Sequence, residues 1–316
     1  MHTDVAERQF QQAPTGWRAR GGTRPGSPGR AGRAGRSGRA GWRWLRRLPL
    51  RLLLAFLLVI EIYPLLWLLL SSFKENAEFS LRPLWALPEG LHWQNYLAAW
   101  TTGNIGLYFL NSVLTVFPSL ALILLLSVPA GFALEVMRWR GRNAVLLLFL
   151  AGIMVPLQIL LLPLFTIYFH LQLIDTRWAL IITYTGFGLP LTVFLMAGYF
   201  KAIPRELLEA AILDGAGLAQ VFFRVAVPLV SNGLVTVALV QFFFLWNDLL
   251  FSLTFISSDS LRTIQTGLLN FSGEYGQVAW GPTFAAVSLA VFPTLLLYLL
   301  LNQRVIKGLT AGALKG

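Results

Sequence analysis

The sequence has no cysteine among its 316 residues and only three histidines, His2, His92 and His170. Without cysteine the chain forms neither disulfides nor thiolate metal sites, and the histidines are too widely spaced to suggest a metal cluster. The chain also lacks a Gly-x-x-x-x-Gly-Lys-Ser/Thr phosphate loop, a His-Glu-x-x-His motif and a Gly-x-Ser-x-Gly motif. We therefore expect no catalytic site, no metal site and no ATP hydrolysis of the phosphate-loop kind in this chain.

Charged residues are also scarce. They make up 12% of the chain, whereas hydrophobic residues make up 56%, and a soluble domain normally carries about 25% charge. Because about 20 apolar residues cross a bilayer as a helix that satisfies its own backbone groups, the sequence predicts an all-α integral membrane protein. The six apolar stretches predicted to be transmembrane helices are residues 48–72, 107–134, 144–169, 178–200, 228–256 and 283–301.

The positive charges are distributed unevenly along the chain. The formal net charge is +11, and 21 of the 25 Lys and Arg residues lie in the N-terminal part up to Arg51, the C-terminal tail and the loops after the second and fourth stretches. The remaining loops hold 4. Since cytoplasmic segments carry the excess of Lys and Arg, we predict a multi-pass protein of the plasma or inner membrane with both termini in the cytoplasm.

The first 47 residues differ in composition from the rest of the chain. Gly, Arg, Ala and Ser dominate this segment, so it has little apolar area to bury and is predicted to be a disordered cytoplasmic tail. Its arginines are suited to anionic lipid headgroups or to RNA, but a solvated tail that helps to fix the orientation is the favoured interpretation, with no nucleic-acid partner. Residues 48–303 are the predicted transmembrane domain, and residues 304–316 a cytoplasmic C-terminal tail.

The loop between the fourth and fifth stretches carries a polar, helix-forming module. Pro204 suits the first position of a helix, and Glu206 then lies in the first turn, where the helix dipole favours negative charge. Gly215 is expected to end this helix in the left-handed conformation, and Asp214 to cap the helix that follows. The sequence thus predicts a cytoplasmic helix-turn-helix that docks into a groove on a soluble partner. Its apolar stripes are Leu207, Leu208, Ala211 and Ile212 in the first helix, then Leu218, Val221, Phe222 and Val225 in the second.

Several short motifs resemble one known family. The segment Glu209-Ala210-Ala211 through Asp214-Gly215-Ala216 resembles the "EAA" loop of binding-protein-dependent ABC importer permeases. Other motifs resemble the carbohydrate-uptake branch of this family, which includes the six-span permease of the maltose importer. These motifs are Asn111-Ser112, Leu173-Ile174-Asp175-Thr176, Trp246-Asn247-Asp248 and the C-terminal residues 307–316.

The resemblance implies a non-catalytic permease subunit that moves a sugar or polyol by alternating access. Its implied partners are a second permease subunit, a cytoplasmic ATPase dimer that binds ATP and Mg²⁺, and an extracytoplasmic solute-binding protein. This chain itself then binds no cofactor. The residues implied to form the ATPase-coupling loop are Glu206, Glu209, Ala210, Ala211, Asp214 and Gly215.

The fifth stretch is the most polar of the six. Ionisable groups at membrane depth are costly and usually face a cavity or a partner, which makes Asp248 a functional candidate. Sugars are recognised by hydrogen bonds and aromatic stacking, although a membrane-protein Trp more often packs or lies at the interface. The residues predicted to line a translocation path are Asn232, Gln241, Phe243, Trp246, Asn247 and Asp248.

Two other classes of function compete with the permease. An ion-coupled secondary transporter predicts internal repeats and carboxylate relays, and neither is clear in this sequence. A membrane enzyme needs a catalytic set, which is absent. The aromatic-rich first outer loop, residues 73–106, is equally suited to the membrane interface and to receiving an external partner.

Overall fold

A computed structural model describes residues 48–271 and 278–313, with side chains as far as Gln303. The predicted tail of residues 1–47 lies outside the described residues. The described chain is built from helices, as predicted. They are α1 (Leu48–Ser71), α2 (Asn76–Leu81), α3 (Gln94–Trp100), α4 (Ile105–Glu135), α5 (Arg142–Met154), α6 (Leu157–His170), α7 (Arg177–Lys201), α8 (Arg205–Leu213), α9 (Leu218–Gln220), a π-helical turn (Val221–Ala226), α10 (Val227–Leu229), α11 (Ser231–Trp246), α12 (Leu250–Phe255), a 3₁₀ turn (Asp259–Leu261), α13 (Ile264–Gly267), a second 3₁₀ turn (Leu268–Phe271) and α14 (Trp280–Ala313).

Four of these helices, α1, α4, α7 and α14, are long and apolar enough to cross a membrane. Two further pairs pass the same test only as bent units. The axes of α5 and α6 meet at 96°, and the stretch Leu218–Leu229 meets α11 at 73°. The described chain therefore contains four candidate spans, or six if each bent pair crosses the membrane as one.

The third and fifth predicted spans are not single helices, and this part of the prediction is wrong. In the third, Val155 is extended and Pro156 precedes α6 as its N-cap, because a residue before proline is disfavoured in the α conformation and proline donates no backbone hydrogen bond. In the fifth, the helix begins at Ser231, ends at Trp246 and resumes as α12. Six other prolines in the predicted spans lie inside continuous helices: Pro64, Pro118, Pro129, Pro163, Pro190 and Pro293.

The chain divides into two compact units between Val59 and Ile60. The described part of the first unit is the beginning of α1, whose side chains are exposed as expected of a lipid-facing helix. The second unit contains α4 and α7, which pack side by side. Gly131 allows this approach, since a Cβ there would lie 2.8 Å from the Met196 Cβ and 2.9 Å from the Ala197 backbone nitrogen.

Two apolar clusters form the core of the second unit. One surrounds Tyr108, Trp246 and Phe255, and it lies towards the end of the helices that the charge pattern places outside. The other contains Phe200, Leu208 and the π-helical turn, among other residues. The second cluster fixes the loop module between α7 and α11 to the predicted cytoplasmic ends of α4 and α7.

Candidate functional site

The predicted helix of the loop module is present as α8. Pro204 is its N-cap with an extended ψ of 129°, so the helix begins one residue later than predicted, and Glu206 lies in its first turn. Gly215 follows the helix with a φ of +85°, which confirms the predicted left-handed stop. The Gly215 amide donates to the Ile212 carbonyl and the Ala216 amide to the Ala211 carbonyl, both at 3.0 Å. This pair of bonds is the Schellman arrangement that satisfies the last carbonyls of a helix.

The second half of the module differs from the prediction. Asp214 does not cap the following helix, because Gly217 is the N-cap of α9 and its amide donates to Oε1 of Gln220 at 3.0 Å. The expected regular helix is one α turn followed by the π-helical turn Val221–Ala226. Local spacing predicts an amphipathic segment but does not specify the hydrogen-bonding pattern of a backbone pressed against a buried cluster.

The apolar stripe of α8 is divided between the core and the surface. Leu208 is buried and Ala211 packs against the same cluster. In contrast, Leu207, Ile212 and Leu213 are 47%, 59% and 87% exposed. The module is thus held to the chain by one edge and presents a second, uncovered apolar edge.

The polar residues assigned to the coupling loop lie along the exposed part of the module. Glu206 and Glu209 are exposed on α8, as are Ala210, Asp214 and Gly215 at or near its end. Carboxylates beside exposed leucines form a surface with both an apolar and a charged component. Such a surface matches the requirements of a helix that docks into a groove.

A second site is a cavity of about 610 Å³ between α7, α11 and the break that separates α5 from α6. Three of the predicted path residues line this cavity, namely Gln241, Asn247 and Asp248. The remaining lining residues are mainly apolar and include Gly152, Val155, Leu157, Tyr184, Phe187 and Gly188.

Hydrogen bonds hold the polar wall of this cavity in place. Asp248 accepts a bond from the Tyr184 hydroxyl at 2.8 Å and from the Phe251 and Ser252 amides at 3.3 and 3.1 Å. Gln241 is buried, and its Nε2 donates to the Gly188 carbonyl at 3.2 Å and to the Thr192 hydroxyl, which lies 2.8 Å away. The carboxylate therefore caps α12, and Gln241 ties α11 to α7.

The other three predicted path residues lie elsewhere. Trp246 is buried and its indole donates to the Ala290 carbonyl of α14 at 3.0 Å, which is a packing role. Asn232 is exposed at the start of α11, and Phe243 is half-buried. None of the three is among the residues that line the cavity.

A group of polar side chains, here called the clasp, lies at the ends of α4 and α7 that are opposite to the loop module. It joins residues 257–264 to α4 and to the loop before α7. Asp175, with a φ of +60°, accepts bonds from the Ser257 and Ser258 amides at 3.0 and 2.8 Å and from the Ser258 hydroxyl. These bonds, chiefly that from the Ser258 hydroxyl, lower the pKa of Asp175 below its ordinary value. The carboxylate is therefore ionised at neutral pH and holds this segment in place.

Asn111 and Ser112 complete the clasp. The Asn111 amide donates to the Ser260 and Arg262 carbonyls at 2.9 and 3.0 Å, and its oxygen accepts from Arg177 at 2.8 Å. The Ser112 hydroxyl accepts from the Ile264 amide at 2.9 Å. The sequence marks both residues through their motif, but not the segment that they bind.

Within residues 48–271 and 278–303, no group of three or more His, Cys, Asp or Glu side chains is placed to hold a metal ion. The loop of residues 73–106, which is predicted to lie outside, is folded against the end of α14, where Phe79 stacks on Phe284 with ring centroids 5.4 Å apart. Trp85 and Trp93 remain 76% and 62% exposed. The two predicted roles of this loop, a position at the membrane interface and the binding of an external partner, both stay predictions.

Comparison with known proteins gives consistent matches. The family model described as "Binding-protein-dependent transport system inner membrane component" matches residues 123–309. The "Diacetylchitobiose uptake system permease protein NgcG" of Streptomyces coelicolor is 35% identical over 81% of this chain and 85% of its own length. The "Sulfoquinovosyl glycerol transport system permease protein SmoH" of Agrobacterium fabrum is 35% identical over 85% of this chain and 94% of its own.

A solved structure shares the fold. It is a chain of a bacterial ABC transporter involved in the import of the acidic polysaccharide alginate, with a TM-score of 0.71 and 20% sequence identity. The match covers 88% of the present chain and 99% of that chain.

Proposed function

Because the chain belongs to the family of inner membrane components of binding-protein-dependent transport systems, we propose that it carries a sugar or related polyol, delivered by an extracytoplasmic binding protein, across the membrane. Its relatives are carbohydrate ABC transporter permeases. Permease subunits of this kind are non-catalytic, and separate subunits hydrolyse ATP. The ion-coupled alternative gains no support from any of these relatives.

The uncovered edge of α8 supports this proposal most directly. A monomer that exposes Leu207, Ile212 and Leu213 beside Glu206 and Glu209 has a surface suited to a protein partner, because contiguous exposed apolar area marks interaction sites. The proposed occupant is one subunit of a cytoplasmic ATPase dimer, which binds the ATP and Mg²⁺. A second permease subunit presents an equivalent helix to the other ATPase subunit.

In the proposed mechanism, α8 moves with the closing ATPase dimer as a rigid lever. The second apolar cluster, around Phe200 and Leu208, connects this lever to the ends of α4 and α7. The permease pair then changes from inward-open to outward-open beneath the docked binding protein. The chain supplies the path, and the energy comes from its partner.

The proposed orientation places both termini and α8 in the cytoplasm, in agreement with 21 of the 25 Lys and Arg residues lying on that side. It also treats each bent helix pair as one span, which gives six spans. The proposed permease domain comprises residues 48–303, with the Arg-rich segment 1–47 and residues 304–316 as cytoplasmic tails.

Leu213→Asp should reduce the amount of ATPase subunit that copurifies with the permease pair by about tenfold, because a charge replaces an exposed apolar side chain on the proposed docking edge. Leu213 is 87% exposed, so the substitution leaves the fold of the chain intact. Affinity purification of the tagged permease followed by quantification of the ATPase measures this. The matched control is Leu91→Asp in the first outer loop, where the leucine is 64% exposed. Equal recovery with both variants would contradict docking at α8.

The cavity beside Asp248 is proposed to be part of the translocation path. Its amide and carboxylate groups offer hydrogen bonds to sugar hydroxyls, and its apolar wall lies at the break between α5 and α6. A cavity with a few convergent polar groups on an apolar lining is typical of small-molecule sites.

Asn247→Ala should raise the KM for binding-protein-dependent uptake about fivefold, since one hydrogen bond to the sugar contributes about 1 kcal/mol. Asn232→Ala is the matched control, because Asn232 is exposed at the start of α11, the helix that Asn247 ends, but does not line the cavity. Uptake into vesicles that contain all subunits is measured with the labelled sugar of the cognate binding protein. If Asn232→Ala raises KM and Asn247→Ala does not, the path lies elsewhere.

A further inference from the structure

A basic cleft separates α8 from the loop that connects α4 and α5. Its cavity volume is about 580 Å³. Four of its lining side chains are cationic, Arg138, Arg142, Lys201 and Arg205, and two are anionic, Glu135 and Glu209. The cleft therefore has an excess of two positive charges.

The charged groups of the cleft do not neutralise one another. In the part of the chain that the structure describes, the ion pairs are Arg82 with Glu89 and Arg262 with Asp259, and both lie away from the cleft. The one polar contact shown for a cationic group of the cleft joins Arg142 Nη1 to the Met137 carbonyl at 3.5 Å. The cationic groups thus remain available to an anionic ligand.

The floor of the cleft is apolar. Phe200, Ile203 and Leu208 close it from below as buried members of the second cluster, and Ile212 adds an apolar side chain at the edge that is 59% exposed. A ligand that fits this cleft therefore combines a negative group with an apolar portion. Inorganic phosphate would use only the charged wall.

We propose that this cleft binds the phosphodiester headgroup of an anionic phospholipid from the cytoplasmic leaflet. Arginine guanidinium groups match phosphate oxygens in geometry and charge, and basic pockets at the cytoplasmic ends of membrane helices bind anionic headgroups. The glycerol and upper acyl carbons lie against the exposed side chain of Ile212 at the edge of the cleft. A bound lipid then bridges α8 and the α4–α5 loop and steadies the module on the membrane surface.

The test compares the full-length chain with the double variant Arg138→Gln, Arg205→Gln. Native mass spectrometry counts bound phosphatidylglycerol against phosphatidylcholine with the same acyl chains after both are added to delipidated protein. At about fivefold for each basic residue near a headgroup, the preference for phosphatidylglycerol should fall about 25-fold. The matched control is Arg140→Gln, Arg224→Gln, which removes the same charge from cytoplasmic-side arginines outside the cleft and should leave the preference unchanged.

Three results would overturn the proposal. They are an unchanged preference in the cleft variant, an equal loss in the control variant, and displacement of the lipid by inorganic phosphate, which would identify a soluble phosphate as the ligand. In the unmodified chain, the preference for phosphatidylglycerol over phosphatidylcholine should also decline as the salt concentration rises, since exposed charges are screened. A preference that does not depend on salt would contradict the proposal as well. The measurement requires no ATPase, so a negative result leaves the proposed function untouched.

Discussion

Gly215→Val is expected to lower binding-protein-stimulated ATP hydrolysis and sugar uptake by about tenfold or more, while the protein still inserts and pairs with its sister permease. Gly215 has a φ of +85°, where a β-branched residue costs about 1–2 kcal/mol. A Cβ at this position meets nothing within 4 Å in the chain, so the cost comes from the backbone and not from a clash. The strain is relieved by opening the turn that fixes α8, and this displaces the docking edge at Leu213.

Two control variants separate backbone strain from bulk. Gly217→Val places the same side chain two residues away, where φ is −68° and a Cβ also meets nothing within 4 Å, and activity should stay near normal. Gly215→Asn should retain most of the activity, because asparagine tolerates the left-handed conformation. Hydrolysis and uptake are measured in vesicles with all subunits present. Near-normal values for Gly215→Val would show that this turn is not part of the coupling element.

Gly131→Val is expected to be the most damaging of these substitutions to the fold. The first added carbon would lie 2.8 Å from the Met196 Cβ and 2.9 Å from the Ala197 backbone nitrogen, and a backbone atom cannot move aside cheaply. Overpacking of this kind costs about 1–3 kcal/mol. We expect Tm in detergent to fall by about 5 °C or more, measured by the loss of the monodisperse peak after heating.

Gly198→Val is the control for this substitution. Gly198 lies on α7 with nothing within 4 Å of an added Cβ, so it shares the intrinsic cost of valine in a helix without the steric conflict. Its Tm should stay close to that of the unmodified chain. If both variants lose the same stability, valine in the helix is the cause, and close packing of α4 on α7 is not.

Local sequence signals determined the elements of the chain. Apolar length predicted the helices, and Pro204 together with Gly215 predicted the bounds of α8 to within one residue. These predictions succeed because a helix stop or a membrane-length apolar run depends on residues that are neighbours in the chain. Asp214 fails as a cap because the following helix begins after Gly217, whose own amide donates to Oε1 of Gln220.

The tertiary structure decided how these elements meet. The cavity joins the break at Val155 to Asp248, the clasp joins Asp175 to Ser258, 83 residues later, and Trp246 turns into the core to bond Ala290 instead of lining the cavity. Periodicity predicts which face of a helix is apolar. In a membrane protein most helix faces are apolar, so the pattern does not specify which other helix packs against a given face. Close packing selects the neighbour, through small residues such as Gly131 and a limited number of buried hydrogen bonds.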